Sequence, residues 1–452
     1  MKFVADLHLH SKYSRACSQA LTLENLALYA AKKGIQVLGT ADWTHPIWFE
    51  ELKNKLEQAG NGLYKLKQTA NRLQTATAVN SNQKAESEQE IYFLLSTEIS
   101  SIYTQGGQQR RIHTLVFVPN LETADKINQQ LTRLGANLKS DGRPIVGLSA
   151  KDLAELVLEI EPKSLIIPAH IWTPWFSLYG SNSGFDSVEE CFGDIKKYVY
   201  AIETGLSSDP AMNWRVEDLD TRTILSFSDA HSLEKLGREA TVFEGELSYE
   251  GIYQAIRNGT EETKETKITR VAFTIEFYPE EGKYHYTGHR NCGVKHSPDE
   301  TARLGTTCPV CGKKLTVGVM HRVDELAKRQ VEDLKLTSND FVKSAAQPWR
   351  PAYKMLVSLQ EIVAQSLGLG EASKEVRMNY ENLVANFSSE LAVLIKVSLE
   401  ELAGKTSDKI VKAIDRVRKG QISVDPGFDG VYGKVQIWKD FEPVETSQMA
   451  LF

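Results

Sequence analysis

Short apolar runs recur through the first half of the chain, each bounded by turn-forming residues. Runs over residues 3–7, 35–40, 91–97, 112–118, 165–169, 199–203 and 223–227 read as strands: they are brief, largely aliphatic and aromatic, and most end on polar groups. Amphipathic stretches lie between most of them. Residues 23–33 form one such helix, with Thr22 suited to cap its start and Gly34 to stop it. Alternation of this kind predicts an α/β domain with a parallel sheet or barrel. One pair departs from it. Residues 91–100 and 110–118 are joined by Thr104-Gln105-Gly106-Gly107-Gln108, which reads as the turn of an antiparallel hairpin. A midpoint between Gln105 and Gly106 sets Glu98 nearly opposite His113.

The pattern changes further along. Residues 54–90 are polar and read as an insertion, a helix followed by a loose tip around 77–90. From about residue 263 a short β segment (270–286) leads into a cluster of Cys and His. After Val323 the periodicity is helical to about Arg418, broken at 347–351 and 368–370, and a Gly-rich, strand-like stretch begins at Asp425. The expected division is residues 1–262, 263–322, 323–432 and a tail, 433–452.

Composition narrows the classes. Lys and Arg total 53 against 59 Asp and Glu, a net charge of −6. That excludes a uniformly basic nucleic-acid coat but leaves room for a local basic groove. No apolar run is long enough to span a bilayer, and the chain enters a strand at once, so no membrane partner and no signal peptide are expected. Five Cys in 452 residues are too few for a disulfide framework, which suits a reducing, cytoplasmic setting.

The chemistry gathers where strands end. The first strand leads to His8 and His10, the second to Asp42 and His45, and the third carries Glu98. His113 lies on the hairpin partner, His170 ends another strand, and Asp229 with His231 ends the last. Side chains two apart on a strand share a face, so His8/His10 and Asp229/His231 each present a pair of ligands. In α/β folds such ends form the reactive face. Mixed imidazole and carboxylate without thiolate suits zinc, manganese, magnesium or iron. Nine ligands exceed the needs of one ion, so two or three divalent ions are expected, with Asp6 behind them. His8, His10, Glu98 and Asp229 are the leading catalytic candidates, for hydrolysis of a phosphate ester.

A second metal motif is separate. His289-x2-Cys292 and Cys308-x2-Cys311 have the spacing of a structural zinc ribbon, with His296 as the competing fourth ligand. Aromatic residues Trp172 and Trp175 follow His170 and could stack an extruded base or pack their loop. Ser207, Ser208, Asn213, Arg215, Lys12 and Arg15 are candidates for contacts to DNA.

The segments Asp6-Leu7-His8-Leu9-His10-Ser11, Asp42/His45, Ser96-Thr97-Glu98, His113, His170 and Ser228-Asp229-Ala230-His231 resemble the PHP (polymerase and histidinol phosphatase) superfamily. The resemblance implies a distorted (β/α)7 barrel with a two- or three-metal site. Many members carry an Asp shortly after the second histidine; here that stretch is Ser11 to Cys17, and Arg15 within it suits a phosphate better than a cation. With the zinc ribbon, a helical C-terminal domain, and the segments 10–16, 203–210 and 425–433, nearly the whole chain resembles the endonuclease Q family. That implies a DNA repair enzyme that nicks 5′ of deaminated bases (hypoxanthine, uracil, xanthine) and at abasic sites, in single- or double-stranded DNA near the nucleoid. Gln448, Leu451 and Phe452 in the tail resemble the short motif that docks on the replication sliding clamp. A small-molecule phosphoesterase would explain the barrel but not the ribbon or tail. A non-catalytic DNA scaffold would not need the ligand set.

Overall fold

The computed structural model describes residues 1–68, 90–259, 269–329, 334–336 and 341–438. The expected loose tip of the insertion, the boundary near residue 262 and the tail motif lie outside them. The chain divides into two compact units. The first comprises residues 1–169, 187–203 and 222–272, and the second 170–186, 204–221 and 273–452. Segments 170–186 and 204–221, expected in the N-terminal domain, therefore belong to the second unit.

The first unit is mixed α/β. Its main strands are β1 (Lys2–Asp6), β2 (Val37–Gly39), β3 (Tyr92–Gln105), β4 (Gln108–Val118), β5 (Leu165–Pro168), β6 (Ala201–Glu203), β7 (Thr223–Leu225) and β8 (Ala240–Glu244). They run in the order β8–β1–β2–β3–β4–β5, with β1, β2 and β3 parallel and the other pairings antiparallel; β6 and β7 form a separate parallel pair. All seven expected strands are present, and β8 is an addition. Helix α1 (Leu23–Lys33) has the expected ends: Thr22 accepts the Asn25 N–H, and Gly34 takes the left-handed conformation (φ 88°).

Alternation along the strands sorts side chains by face. Phe3, Ala5 and Leu7 from β1 and its extension meet Leu94, Leu115, Phe117, Ile167, Phe227 and Phe243 in one buried core, with Tyr249, Ile252 and Ile256 packed on it from the helix Tyr249–Arg257. The expected polar helix at 54 ends at once. Helix α2 (Pro46–Lys55) is followed by an antiparallel pair, Leu56–Gln58 with Tyr64–Leu66. The β3–β4 hairpin turns one residue later than expected. Gln105 pairs with Gln108, so Gly106 (φ 59°) and Gly107 (φ 74°) are the central residues, both left-handed as a two-residue hairpin turn favours. Glu98 consequently pairs with Leu115, and His113 with Ser100.

The second unit is not helical throughout after Val323. Strands Leu334–Leu336, Val342–Ser344 and Ala352–Met355 come first, the last running parallel to Phe273–Glu276. The helices Leu359–Leu367, Lys374–Phe387 and Asp408–Arg418 then follow. Among the described residues no helix is long and apolar enough to cross a membrane.

This unit buries acids. Burial raises the Glu280 carboxyl to about 7, helped by Asp209, itself raised by burial to about 6. Between an unfolded value near 4.5 and the folded value near 7, the unfolded chain has lost the Glu280 proton while the folded chain keeps it. Stability therefore falls as pH rises through that window. Glu280→Gln removes the charge and is expected to stabilise by up to about 3 kcal/mol above pH 7, and negligibly at pH 4.5. Thermal unfolding of both proteins at the two pH values checks this; an equal separation of midpoints at both would contradict it.

Candidate metal centre

The first histidine pair and the Asp229/His231 pair share one rung. Leu9 bridges Ala230 in parallel, and the His10 N–H donates to the Ala230 carbonyl (3.1 Å). Asp6, buried beneath, accepts the Ser228 and Gly237 N–H groups, both at 3.0 Å. Asp229 itself is left-handed (φ 46°), a conformation uncommon without glycine, and Arg238 braces it by donating to the Ser228 (2.8 Å) and Asp229 (3.2 Å) carbonyls.

Four donor atoms converge there. His8 Nε2 lies 3.5 Å from both Glu98 Oε2 and Asp229 Oδ1; His10 Nε2 lies 3.3 Å from the former and 3.1 Å from the latter. Four donors held tetrahedrally about 2.0–2.1 Å from one ion sit about 3.3–3.4 Å apart. Two imidazole nitrogens and two carboxylate oxygens at that spacing fit a divalent ion. Glu98 and both histidines are buried, while the Asp229 side chain keeps 23 % exposure and leaves the centre open on its side.

Further groups aim these ligands. Glu203 accepts from His8 Nδ1 (2.9 and 3.1 Å), which leaves the Nε2 lone pair for a metal. Asp42 lies 3.2 Å from His10 Nδ1 and accepts from the Ser11 N–H, Ser11 Oγ and Ser14 Oγ at 2.7, 2.7 and 2.9 Å. Burial opposes charge on the two imidazoles. The carboxylates of Glu203, Asp229 and Glu98 around His8, and of Asp229, Asp42 and Glu98 around His10, outweigh it and hold both well above their ordinary range. Burial likewise pushes the Glu98 carboxyl up, but His113, Arg143 and His8 pull it well below its usual value. A cation bound there would compete with protons for the two imidazoles.

The other expected ligands divide. His113 Nδ1 is 2.6 Å from Glu98 Oε1, reached diagonally across the hairpin. His231 packs edge-on to His10 (4.7 Å between centroids). His45 occupies the N-cap position of α2 without a side-chain capping bond and stacks on Tyr13 at 4.5 Å, outside the four-atom group. His170 follows β5, belongs to the second unit and is left-handed (φ 31°), with Nδ1 3.1 Å from Ser177 Oγ.

In the second unit His289, Cys292, Cys308 and Cys311 bring one donor atom each within 4.8 Å of one another, and His296 is not in the group. His289 Nδ1 is 3.4 Å from Cys311 Sγ. Three thiols and an imidazole suit zinc.

Several of the residues expected to contact DNA are buried and hydrogen-bonded or ion-paired within the chain. Trp172 is buried and donates from Nε1 to Asn213 Oδ1 (2.8 Å); Asn213 Nδ2 donates to Ser208 Oγ (3.1 Å), and Arg215 pairs with Asp324 (2.7 Å). Ser207 is also buried. Trp175 is half-buried against Tyr284, Lys12 pairs with Glu51 (2.9 Å), and the Arg15 side chain is 80 % exposed. Arg143 and Arg238 are not among the residues that the sequence singles out. Asp141-Gly142, a turn signal directly before Arg143, was the available clue.

A family model described as the MJ0043 C-terminal domain matches residues 358–421. An uncharacterized protein, MJ0043, of Methanocaldococcus jannaschii is 32% identical over 286 residues, 62% of this chain; the chain spans about a third (33%) of that relative. Two solved structures match along their length, both with a TM-score of 0.78. One is the lesion-specific endonuclease PfuEndoQ of Pyrococcus furiosus, 28% identical, covering 100% of this chain and 99% of that one. The other is Endonuclease Q in complex with a 27-mer duplex substrate with an abasic lesion at the active site, 30% identical, covering 98% and 99%.

Proposed function

The chain belongs to the endonuclease Q family, and from that premise we propose a metal-dependent DNA repair endonuclease that nicks the phosphodiester backbone at abasic sites and 5′ of deaminated bases. The observation that carries the reading is the convergence of two imidazole nitrogens and two carboxylate oxygens, from His8, His10, Glu98 and Asp229, at tetrahedral spacing. These four are assigned to the first ion. His113 and His231 are assigned to a second or third, with Asp42 and His45 as supports. We read the seven strands as the family's distorted barrel. Divalent ions held there would supply activation of a water nucleophile and neutralisation of charge at phosphorus.

The chain's own groups do the positioning. Glu203 and Asp42 fix the two ring orientations, and the partial exposure of Asp229 admits a backbone phosphate to an otherwise buried site. Lesions are easier to extrude than paired bases, which favours abasic and deaminated positions. Lys12, Arg15 and Trp175 are the remaining candidates for DNA contact. His289, Cys292, Cys308 and Cys311 are assigned to one structural zinc, and Gln448, Leu451 and Phe452 to the sliding clamp. The setting is the DNA-bearing cytoplasm.

The test is a nicking assay on end-labelled duplexes carrying an abasic site, deoxyinosine, deoxyuridine or no lesion. A single chelator-sensitive cut 5′ of each lesion is expected. A variant lacking the last five residues should cut equally but no longer co-elute with the clamp. Intact DNA beside phosphate released from histidinol phosphate would overturn the reading, and unchanged co-elution would overturn the assignment of the tail.

A further inference from the structure

The segment Asp141–Arg143 is built into the wall of the metal centre. Gly142 packs so tightly that a Cβ there would stand 2.3 Å from Asp42 Oδ2 and 2.4 Å from Ser14 Oγ. Its N–H donates to the Tyr13 carbonyl (3.0 Å), and its own carbonyl accepts from Thr44 Oγ1 (3.1 Å). Asp141 Oδ1 accepts the Arg143 N–H (3.1 Å) and closes the turn. Anchored this way, the backbone delivers the Arg143 guanidinium inward, with Nη1 3.1 Å from Glu98 Oε2.

That oxygen is one of the four that converge on the candidate ion. The Arg143 side chain retains 23 % exposure, whereas Glu98 has none, so the guanidinium sits at the boundary between the buried ligands and solvent. Arg15 is turned outward, with Nε 3.5 Å from Asp141 Oδ2, and Lys12 is held by Glu51. Among these three cations only Arg143 touches a residue of the ligand cluster. A guanidinium offers five donors in a planar fork and stays charged at any working pH. Once Glu98 Oε2 is committed to a cation, that fork has an oxyanion to gain from a phosphate arriving on the exposed side.

We propose that Arg143 is a further catalytic residue, donating from its guanidinium to a non-bridging oxygen of the scissile phosphate. The inference rests on the phosphodiesterase reading. Its test uses the full chain and two variants, Arg143→Ala and Arg143→Lys. Substrates are abasic-site duplexes with an ordinary scissile phosphate or either phosphorothioate diastereomer. Arg143→Ala should slow single-turnover nicking about 10²–10³-fold, as loss of one preorganised donor does. DNA affinity should stay within about threefold and metal content should be unchanged, because the lost contact acts on the reacting phosphate rather than on duplex binding or ion binding. Arg143→Lys should recover only part of the rate, since an ammonium lacks the fork. The Arg143→Ala defect should shrink on the one diastereomer whose sulfur replaces the contacted oxygen. A rate within about threefold of wild type would overturn the proposal. So would an equal defect on both diastereomers, or loss of metal in parallel with rate in both variants, which would make Arg143 a prop for Glu98. If the unaltered chain fails to nick any lesion, the function reading falls and this inference with it; if only the variants match wild type, this inference falls alone.

Discussion

Asp229→Ala is expected to slow nicking of an abasic-site duplex by about a thousandfold or more while leaving DNA affinity within about threefold. Asp229 Oδ1 is within 3.1–3.5 Å of both histidine Nε2 atoms, so its loss opens one corner of the tetrahedral set. It also removes one of the carboxylates that raise the His8 and His10 imidazoles above their ordinary range. Duplex affinity in general rests on phosphate contacts spread over a wide surface, to which one carboxylate contributes little. Alanine brings a second change, because the position is left-handed (φ 46°). Asp229→Asn separates the two effects: asparagine tolerates that conformation well and keeps the shape without the charge. Both variants should fail to cut. A cut within tenfold of wild type by Asp229→Asn would remove Asp229 from the ligand set.

The second large effect is structural. Cys308→Ser should lose one zinc per chain and make the surrounding module sensitive to protease. The described apolar cluster around this site consists of Val294, Leu315 and the buried Cys308, with Cys292 packed against it. So small a cluster cannot offset the entropy of ordering its loops, whereas structural zinc contributes roughly 10–16 kcal/mol in comparable small modules. Metal analysis and limited proteolysis check this together. Full zinc content and unchanged digestion would show that the four residues are inert.

What the chain reveals by itself is what is local. Helix 23–33, the seven strands and the placement of histidine and carboxylate pairs at strand ends were legible because each rests on residues adjacent in sequence: a cap, a period, a stop. The roles of Trp172 and Asn213 were not. Tryptophan after a histidine at a strand end fits a base-stacking loop and a packed loop equally well. The choice was made by Asn213, 41 residues on, whose amide takes the indole N–H. Residues 323–358 read as helical on composition, yet Val342–Ser344 and Ala352–Met355 pair into a sheet, since tertiary pairing overrides weak helical propensity. Arg143 was hidden for the same reason: only the fold shows that Gly142 leaves space for Asp42.

The hairpin turn extends this to the chemistry itself. Had the turn formed one residue earlier, every pair across β3 and β4 would slip by two. A two-residue slip keeps each side chain on its own face, so the apolar pattern is satisfied equally well in either register. What rejects the wrong register is the pair of left-handed positions at Gly106 and Gly107. From there to Glu98 is eight residues, about 25 Å of extended strand. Two residues without a functional group, at the tip of the β3–β4 hairpin, thus decide that Glu98 meets His113 on the diagonal rather than directly across the strands. Their identity carries information for the active centre that no survey of nearby side chains would find, and exposed loop tips are not everywhere free to drift.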